Sequence, residues 1–287
     1  MRIALIGSSG YISEFLMRRF SKEQFIDSVV KMDINDSADV YLDLSRANEF
    51  DYSYLSGIDL VVFTAAISSP DKCANEFDEC WQINVIGTSY FINEAIRKNC
   101  RVLFFSSDAV FGDIPGMIYD EESETRAETP YGRMKKAIED KFKGEPLFKA
   151  IRLSYVASAK DRFYSYCMNC MINNVTAEIF HPFYRNVTVV SDVVDVVVFL
   201  AKNWSEYEPQ LLNVAGKELV SRVRMADEMN RLYDGRLKYS ITIQNDVFFK
   251  NRPAITQMRS LYAEKYNIYE SNTFTEKIKR EFEGIRI

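Results

Sequence analysis

A short apolar run, Arg2–Ile6, ends at Gly7, and a second glycine stands at position 10 before apolar residues resume at helical spacing over Glu14–Phe20. A strand that stops at a tight glycine turn and feeds a helix is the most restrictive local pattern in the chain. It is the context that a dinucleotide fingerprint requires. Gly7 permits the turn and Gly10 lets the backbone approach a pyrophosphate. The helix N-terminus then faces the phosphates with its partial positive charge. Ser13 stands where the fingerprint has its third glycine; that position serves helix–strand packing, so a small residue is a mild departure. Taken alone, the same residues also fit an ordinary strand–helix turn.

The alternation then continues. Ser28–Met32 reads as a second strand ending in Asp33. An acid roughly twenty residues past the glycines is where adenosine ribose hydroxyls are held. Its carboxylate repels a 2′-phosphate, so NAD(H) is favoured, with NADP(H) still admitted. The plainer alternative is a turn aspartate in the polar cluster Asp33–Asp39. After a short third strand, Asp43 either reaches the adenine amino group or caps the next helix. Leu60–Phe63 is a fourth buried strand. The small residues Ala65 and Ala66 that follow leave room for a cofactor, or simply make a tight loop. Residues 72–99 read as one long helix or two abutting ones. Asn84 and Gly87 are poor interior residues there and suggest a kink that turns Asn84 toward the site. Arg101–Phe105 is a fifth strand, a helix runs from Thr129-Pro130-Tyr131 to about Lys143, and Leu147–Leu153 is a sixth strand. Repeated β-α-β units predict an α/β, Rossmann-type, doubly wound parallel sheet.

After Ser154 the pattern breaks. Residues 155–186 are rich in Tyr, Phe, Met and Asn without clean alternation. Later segments read as a strand at Val187–Val190, a helix at Asp192–Ala201, a strand at Leu211–Val214, a serine-capped helix at Ser221–Tyr233, a strand at Leu237–Ile243 and a helix at Thr275–Glu283. The expected organisation is a dinucleotide-binding domain over 1–154, with 187–216 returning to it. A smaller, interwoven substrate-binding lobe would be built from 155–186 and 217–287.

The fifth strand ends in Ser106-Ser107-Asp108, at the carboxyl edge where open α/β sheets place ligands. Tyr131 and Lys135 lie one helical turn apart. Ser107, Tyr131 and Lys135 can therefore converge on one carbonyl oxygen, a set suited to moving a hydroxyl proton. Composition narrows the rest. Charged residues make up 27% of the chain, the formal net charge is −5 and no basic block stands out, so nucleic acid is not expected as a partner. The longest apolar run, around Val193–Leu200, is too short for a membrane span, and the opening MRIALIG carries no signal-peptide pattern. Five scattered cysteines fit a reducing cytoplasm. The single histidine and the lone Cys167/Cys170 pair do not make a metal site, so no metal is expected.

With these residues in place, the chain resembles the extended short-chain dehydrogenase/reductase superfamily, and within it the dTDP-4-dehydrorhamnose reductases and related nucleotide-sugar enzymes. The family's glycine pattern matches Gly7, Gly10 and, imperfectly, Ser13. Its N-V-x-G-T matches Asn84–Thr88, its S-S-D-x-V-F-G matches Ser106–Gly112, and its P-Y-G-x-x-K matches Pro130–Lys135. R-x-S-x-V matches Arg152–Val156, V-x-D-V-V matches Val190–Val194, N-V-A-G matches Asn213–Gly216, and the late Arg-Pro is Arg252-Pro253. A lone Y-x-x-x-K is expected about once by chance in a chain with 17 tyrosines. The ordered set carries the likeness.

The resemblance implies a keto-sugar reductase in which Tyr131 exchanges the proton, Lys135 and a positive oxidised nicotinamide together lower its pKa, Lys135 also holds the nicotinamide ribose, and Ser107 positions the reacting oxygen. It implies cofactor contacts from Gly7, Ser9, Gly10, Tyr11, Ile12, Asp33, Asp43, Leu44, Ala65, Ala66, Asn84 and Lys135. Substrate contacts would come from Ser68, Asp108, Arg185 and Arg252. Arg252 is the first candidate for a diphosphate clamp and Arg185 the second, with Arg222 read equally as a solvated helix residue. Phe163, Tyr164, Phe183 and Tyr184 either stack on a base or pack in a core. Related 4,6-dehydratases carry Asp-Glu after the serine; here the pair is Asp108-Ala109, which argues against dehydration. Two alternatives stay open: a nucleotide-sugar epimerase that retains NAD, and a non-catalytic relative such as the regulatory subunit of a methionine adenosyltransferase. The resemblance also implies a homodimer through the helices at 72–99 and 130–143.

Overall fold

The computed structural model describes residues 1–114 and 116–287. Seven parallel strands form the central sheet, in the order Leu211–Val214, Phe148–Leu153, Arg101–Ser107, Leu60–Phe63, Arg2–Ile6, Ser28–Asp33, Val40–Tyr41. Strand order reverses between Arg2–Ile6 and Leu60–Phe63, which opens a crevice at their carboxyl ends.

Alternate residues of each strand feed opposite faces, as a pleated strand requires. Ile3, Leu5, Leu60, Val62, Leu103 and Phe105 pack against the helices Tyr11–Phe20 and Val190–Lys202. Ala4, Ile6, Val61, Phe63, Val102 and Phe104 pack on the other side, with Phe91, Ile92, Met134 and Ile138 of the helices Thr88–Arg97 and Pro130–Lys141. The result is a three-layer Rossmann-like α/β/α arrangement.

A separate hydrophobic cluster joins the helices Arg162–Ile172, Arg222–Leu232 and Phe274–Glu281 with the strand Ala177–His181. Cys167 and Cys170 lie inside it, one helical turn apart. Tyr164 is fully buried there as well. The chain reaches this cluster, returns to the central sheet at Leu211–Val214, and leaves again. Among the described residues, no helix is long and apolar enough to cross a membrane.

The segment read as one or two helices over 72–99 is more broken than expected. It runs as Pro70–Asn75, Phe77–Trp81, a π-helical turn Gln82–Gly87, and Thr88–Arg97. Gly87 explains the distortion. A Cβ on it would fall 1.8 Å from the carbonyl oxygen of Leu44, so only glycine lets the turn lie against that loop.

Candidate active site

Gly7 has φ +82°, and a Cβ there would come within 2.7 Å of the Ala65 backbone. The turn after the first strand is thus pressed against the loop after the fourth. Ser13 donates to the Gly7 carbonyl at 2.9 Å and lies 3.0 Å from the Thr64 hydroxyl, which itself donates to the Ile6 carbonyl at 2.7 Å. The departure at the third glycine position therefore ties the turn to two strands. Gly10 is the N-cap of the helix Tyr11–Phe20 and no side chain caps it. The amide groups at that helix start face an open, small-residue turn in which Ser9 and Gly10 are exposed. Tyr11 and Ile12 are partly buried behind them, and the Tyr11 hydroxyl donates to the Val156 carbonyl at 3.3 Å.

Asp33 closes the other side of the turn. Its Oδ2 accepts from the Ser9 amide and hydroxyl, both at 2.9 Å, and its Oδ1 accepts from the Asn35 amide at 3.1 Å and Nδ2 at 2.8 Å. Burial pushes this carboxyl up, but the hydrogen bonds from Ser9 and Asn35 outweigh it and hold Asp33 below its usual range. Asp43 acts as the helix cap that the sequence left open: its Oδ1 accepts from the Ser45 amide at 2.8 Å and hydroxyl at 2.7 Å. Leu44 is buried beneath it. Ala65 and Ala66 are part-exposed at the end of the fourth strand. Asn84 does not reach into the crevice as a free amide. Its Oδ1 accepts from the Ile67 amide at 2.8 Å, and its Nδ2 donates to the Ile67 carbonyl at 2.9 Å and faces Met134 Sδ at 3.5 Å. It clamps the loop that carries those alanines.

The three hydroxyl and amine groups singled out by sequence are set by one helix–strand contact. Thr129 caps the helix Pro130–Lys141, its hydroxyl accepting from the Gly132 amide at 3.2 Å. Gly132 packs on Ala109, two residues past Ser107. Lys135 Nζ donates to the Phe105 carbonyl at 2.7 Å, and lies 4.4 Å from the Phe104 ring centroid and 5.7 Å from that of Tyr131. Burial pulls the Lys135 ammonium down to about 7, while Glu139 and Cys73 act in the opposite direction. Burial also raises Tyr131 well above its ordinary value, helped by Cys73, Asp108 and Tyr11. Sequence reasoning expected Lys135 to lower the tyrosine together with a positive oxidised nicotinamide; among the protein's own groups desolvation prevails and raises the value.

One turn beyond Lys135 lies a buried network that sequence reading missed. Glu139 accepts from the Ser106 hydroxyl at 2.5 Å and from Arg152 Nη2 at 2.6 Å. Ser106 and Arg152 are register partners on adjacent strands. The helix is therefore tied to the sheet at consecutive residues, Phe105 through Lys135 and Ser106 through Glu139. A K-x-x-x-E spacing was the available sequence signal.

The residues proposed for substrate divide differently. Ser107 donates to Asp108 Oδ1 at 3.1 Å and accepts from the Ala109 amide at 3.2 Å. Asp108 is buried, and desolvation raises it against the pull of Arg185 and Ser107. Ser68 is exposed on the loop before Pro70–Asn75. Arg185 is buried and held within the protein. Its Nε lies 3.3 Å from Asp108 Oδ2, its Nη1 donates to the Tyr184 and Ala254 carbonyls at 2.6 and 3.2 Å, and its Nη2 donates to that of Pro253 at 2.7 Å. These three hydrogen bonds use three of its five N–H donors. Arg252 pairs with Asp71 and stacks 4.5 Å from the Phe248 ring, with its Nε buried and unpaired. Arg222, read as equally a solvated residue, lies among aromatic rings.

The family described as RmlD substrate binding domain matches residues 1–286. A spore coat polysaccharide biosynthesis protein, SpsK, of Bacillus subtilis (strain 168) is 34% identical over 82 residues. That match spans 29% of this chain and 29% of the curated relative's length. Among solved structures, a dTDP-4-dehydrorhamnose reductase from Clostridium acetobutylicum ATCC 824 superposes with a TM-score of 0.86 at 20% identity, covering 100% of both chains. MoeE5 in complex with UDP-glucuronic acid and NAD gives 0.82 at 19% identity, covering 98% of this chain and 97% of its own. A dTDP-4-dehydrorhamnose reductase from Bacillus anthracis str. Ames in complex with NADP gives 0.82 at 17%, covering 99% of each. At these identities the structural likeness speaks for the fold.

Proposed function

The chain belongs to the RmlD substrate binding domain family, and from that premise we propose that it is an NAD(P)-dependent oxidoreductase that reduces the keto group of a nucleotide-activated sugar. One observation carries the reading: the Lys135 ammonium is anchored to the Phe105 carbonyl at 2.7 Å, beside Tyr131 and next to the strand end that bears Ser107. A lysine, a phenol and a hydroxyl at the carboxyl edge of a parallel sheet form a set for proton delivery to a ketone oxygen.

A dinucleotide suits the residues present. The uncapped helix start at Gly10, the exposed Ser9 and the glycine pressed against Ala65 leave a small-residue cradle for a pyrophosphate. Gly7, Ser9, Gly10, Tyr11 and Ile12 would hold that part, Asp33 the adenosine side, and Lys135 the nicotinamide ribose. When bound, a nicotinamide supplies the hydride. Tyr131, a phenol that is protonated near neutral pH, gives its proton to the oxygen of the reduced carbonyl. Lys135 then stabilises the phenolate left behind. Ser107 orients the reacting oxygen. Asp33 favours NADH over NADPH, because a second anion beside its carboxylate is repelled. The same proposal includes a cytoplasmic homodimer, and Ile86 and Tyr90 are exposed on the helical segment that would meet the second copy.

The test is to denature the purified protein and assay released NAD⁺, NADH and NADP(H), then titrate the intact protein with each. An empty protein that binds NADH more tightly than NADPH and oxidises it with a 4-keto-sugar nucleotide supports the reductase. Near-stoichiometric retained NAD⁺ without net consumption replaces it with an epimerase. Failure to hold or bind any nicotinamide nucleotide removes the catalytic reading.

A further inference from the structure

Arg222 is the first residue of the helix Arg222–Leu232. Its guanidinium carbon is 4.2 Å from the Tyr155 ring centroid, 4.4 Å from Phe163 and 4.9 Å from Phe183. Three rings around one cation orient it, and the side chain is half-buried among them. Its Nη1 is buried and has no hydrogen-bond partner among the described residues.

The neighbouring carboxylates are already engaged. Asp161 Oδ1 accepts from the Tyr155 hydroxyl at 2.6 Å, the Phe163 amide at 2.8 Å and the Tyr164 amide at 3.1 Å, and its Oδ2 accepts from the Ser158 amide at 2.7 Å. Asp108 faces Arg185. Phe183 has a guanidinium on Arg185 4.4 Å from its ring as well as the one on Arg222. Two cations thus share one ring; Arg185 has a carboxylate in direct contact, whereas the Asp161 carboxylate acts on Arg222 at longer range. A buried donor on a cation without a partner is costly, and an anion that reaches it in a dry aromatic setting is bound strongly.

The position connects to the reaction centre. Tyr155 lies two residues past the strand Phe148–Leu153, whose last residue pairs with Ser107. The contacts run from Ser107 to Asp108, Arg185, Phe183 and Arg222.

We propose that Arg222 is a substrate-specificity residue that receives an anionic group of the substrate, a phosphate or a carboxylate, against the ring face formed by Tyr155, Phe163 and Phe183. The assignment rests on the nucleotide-sugar reading of the site and extends it to a residue outside the proton-transfer set. The planar guanidinium fork suits either oxyanion, and the surrounding rings fix its plane.

Binding of pyrophosphate, UDP-glucose and UDP-glucuronic acid to the full-length protein and to Arg222→Gln is measured by calorimetry, with folding checked by circular dichroism. The expected loss in the variant is on the order of thirtyfold. Loss for all three probes makes the diphosphate the bound anion. Loss confined to UDP-glucuronic acid makes it the sugar carboxylate. Unchanged affinity for every probe, or no binding of any probe to the unaltered protein, overturns the proposal. If pyrophosphate alone binds the unaltered protein, the nucleotide-sugar reading fails, and the pyrophosphate loss in Arg222→Gln still decides the role of Arg222. Arg222→Lys keeps the charge but not the plane, and is expected to bind between the two proteins. Should Arg222→Gln not fold, an Arg222→Lys protein as tight as the unaltered one overturns the assignment.

Discussion

The Cβ that Gly132 lacks would fall 2.0 Å from the carbonyl oxygen of Ala109. The first turn of the helix carrying Tyr131 and Lys135 therefore rests directly on the backbone that follows Ser107. Alanine is ordinarily the better helix residue by about 1 kcal/mol. Gly132→Ala is nonetheless expected to lose about 1–3 kcal/mol in urea denaturation, because the helix must lift off the strand end. Its kcat should fall, and NADH affinity should weaken as well, because Lys135 on the same helix would hold the nicotinamide ribose.

Tyr131→Phe removes a single hydroxyl and leaves the ring beside Lys135. Turnover should drop by about 10²–10⁴-fold, the usual worth of a positioned acid or base. The melting temperature and cofactor affinity should hold. Unchanged turnover in this variant would sink the proton-donor role.

Lys135 carries a pH signature with a definite sign. Its ammonium in the folded chain titrates at about 7, against 10.5 in its ordinary state. Activity that needs the charged form should decline as pH rises through about 7. Stability should move the other way: between those values the unfolded chain binds a proton that the native chain has lost, so this contribution grows with pH. Lys135→Met should flatten that rise. Glu139 acts to keep Lys135 charged, so Glu139→Gln should shift the decline in activity to lower pH. A pH–rate profile beside urea titrations at pH 6.5 and 9 tests both signs, and a limb that stays put in Glu139→Gln contradicts the coupling.

Asp33 couples cofactor choice to the shape of the glycine turn, since both carboxylate oxygens bind Ser9 or Asn35. Asp33→Asn removes the charge and places an amide donor against those donors. NADH affinity should fall, and the ratio of NADPH to NADH affinity should rise by at least about tenfold. Fluorescence titration with both nucleotides reads the ratio; an unaltered ratio removes Asp33 from the discrimination.

What could be read from sequence follows from how local each signal is. The central strands are apolar runs, and their alternation with helices dictates a parallel sheet, so Leu60–Phe63 appears where it was expected. The glycine turn and the Tyr131–Lys135 spacing are equally local. Arg185 and Asn84 were harder because their partners, Asp108 and Ile67, come from other elements. Arg222 could be read equally as a clamp or a solvated helix charge until Tyr155, Phe163 and Phe183 converged on it. Nothing in a linear pattern indicates that convergence. The desolvation that raises Tyr131 in the protein by itself is hidden for a related reason: a neighbouring lysine is visible in sequence, whereas the depth of burial is not.

Leu211–Val214 completes one edge of the central sheet after the chain has already visited the second hydrophobic cluster. The second cluster is thus not a cassette that recombination can exchange whole. Cutting it out severs the central sheet. New substrate preferences in this architecture must arise by substitutions, side chain by side chain, on a framework that stays in place. A designer who wants to retarget the protein faces the same limit and is better served by saturating a few positions than by grafting a lobe.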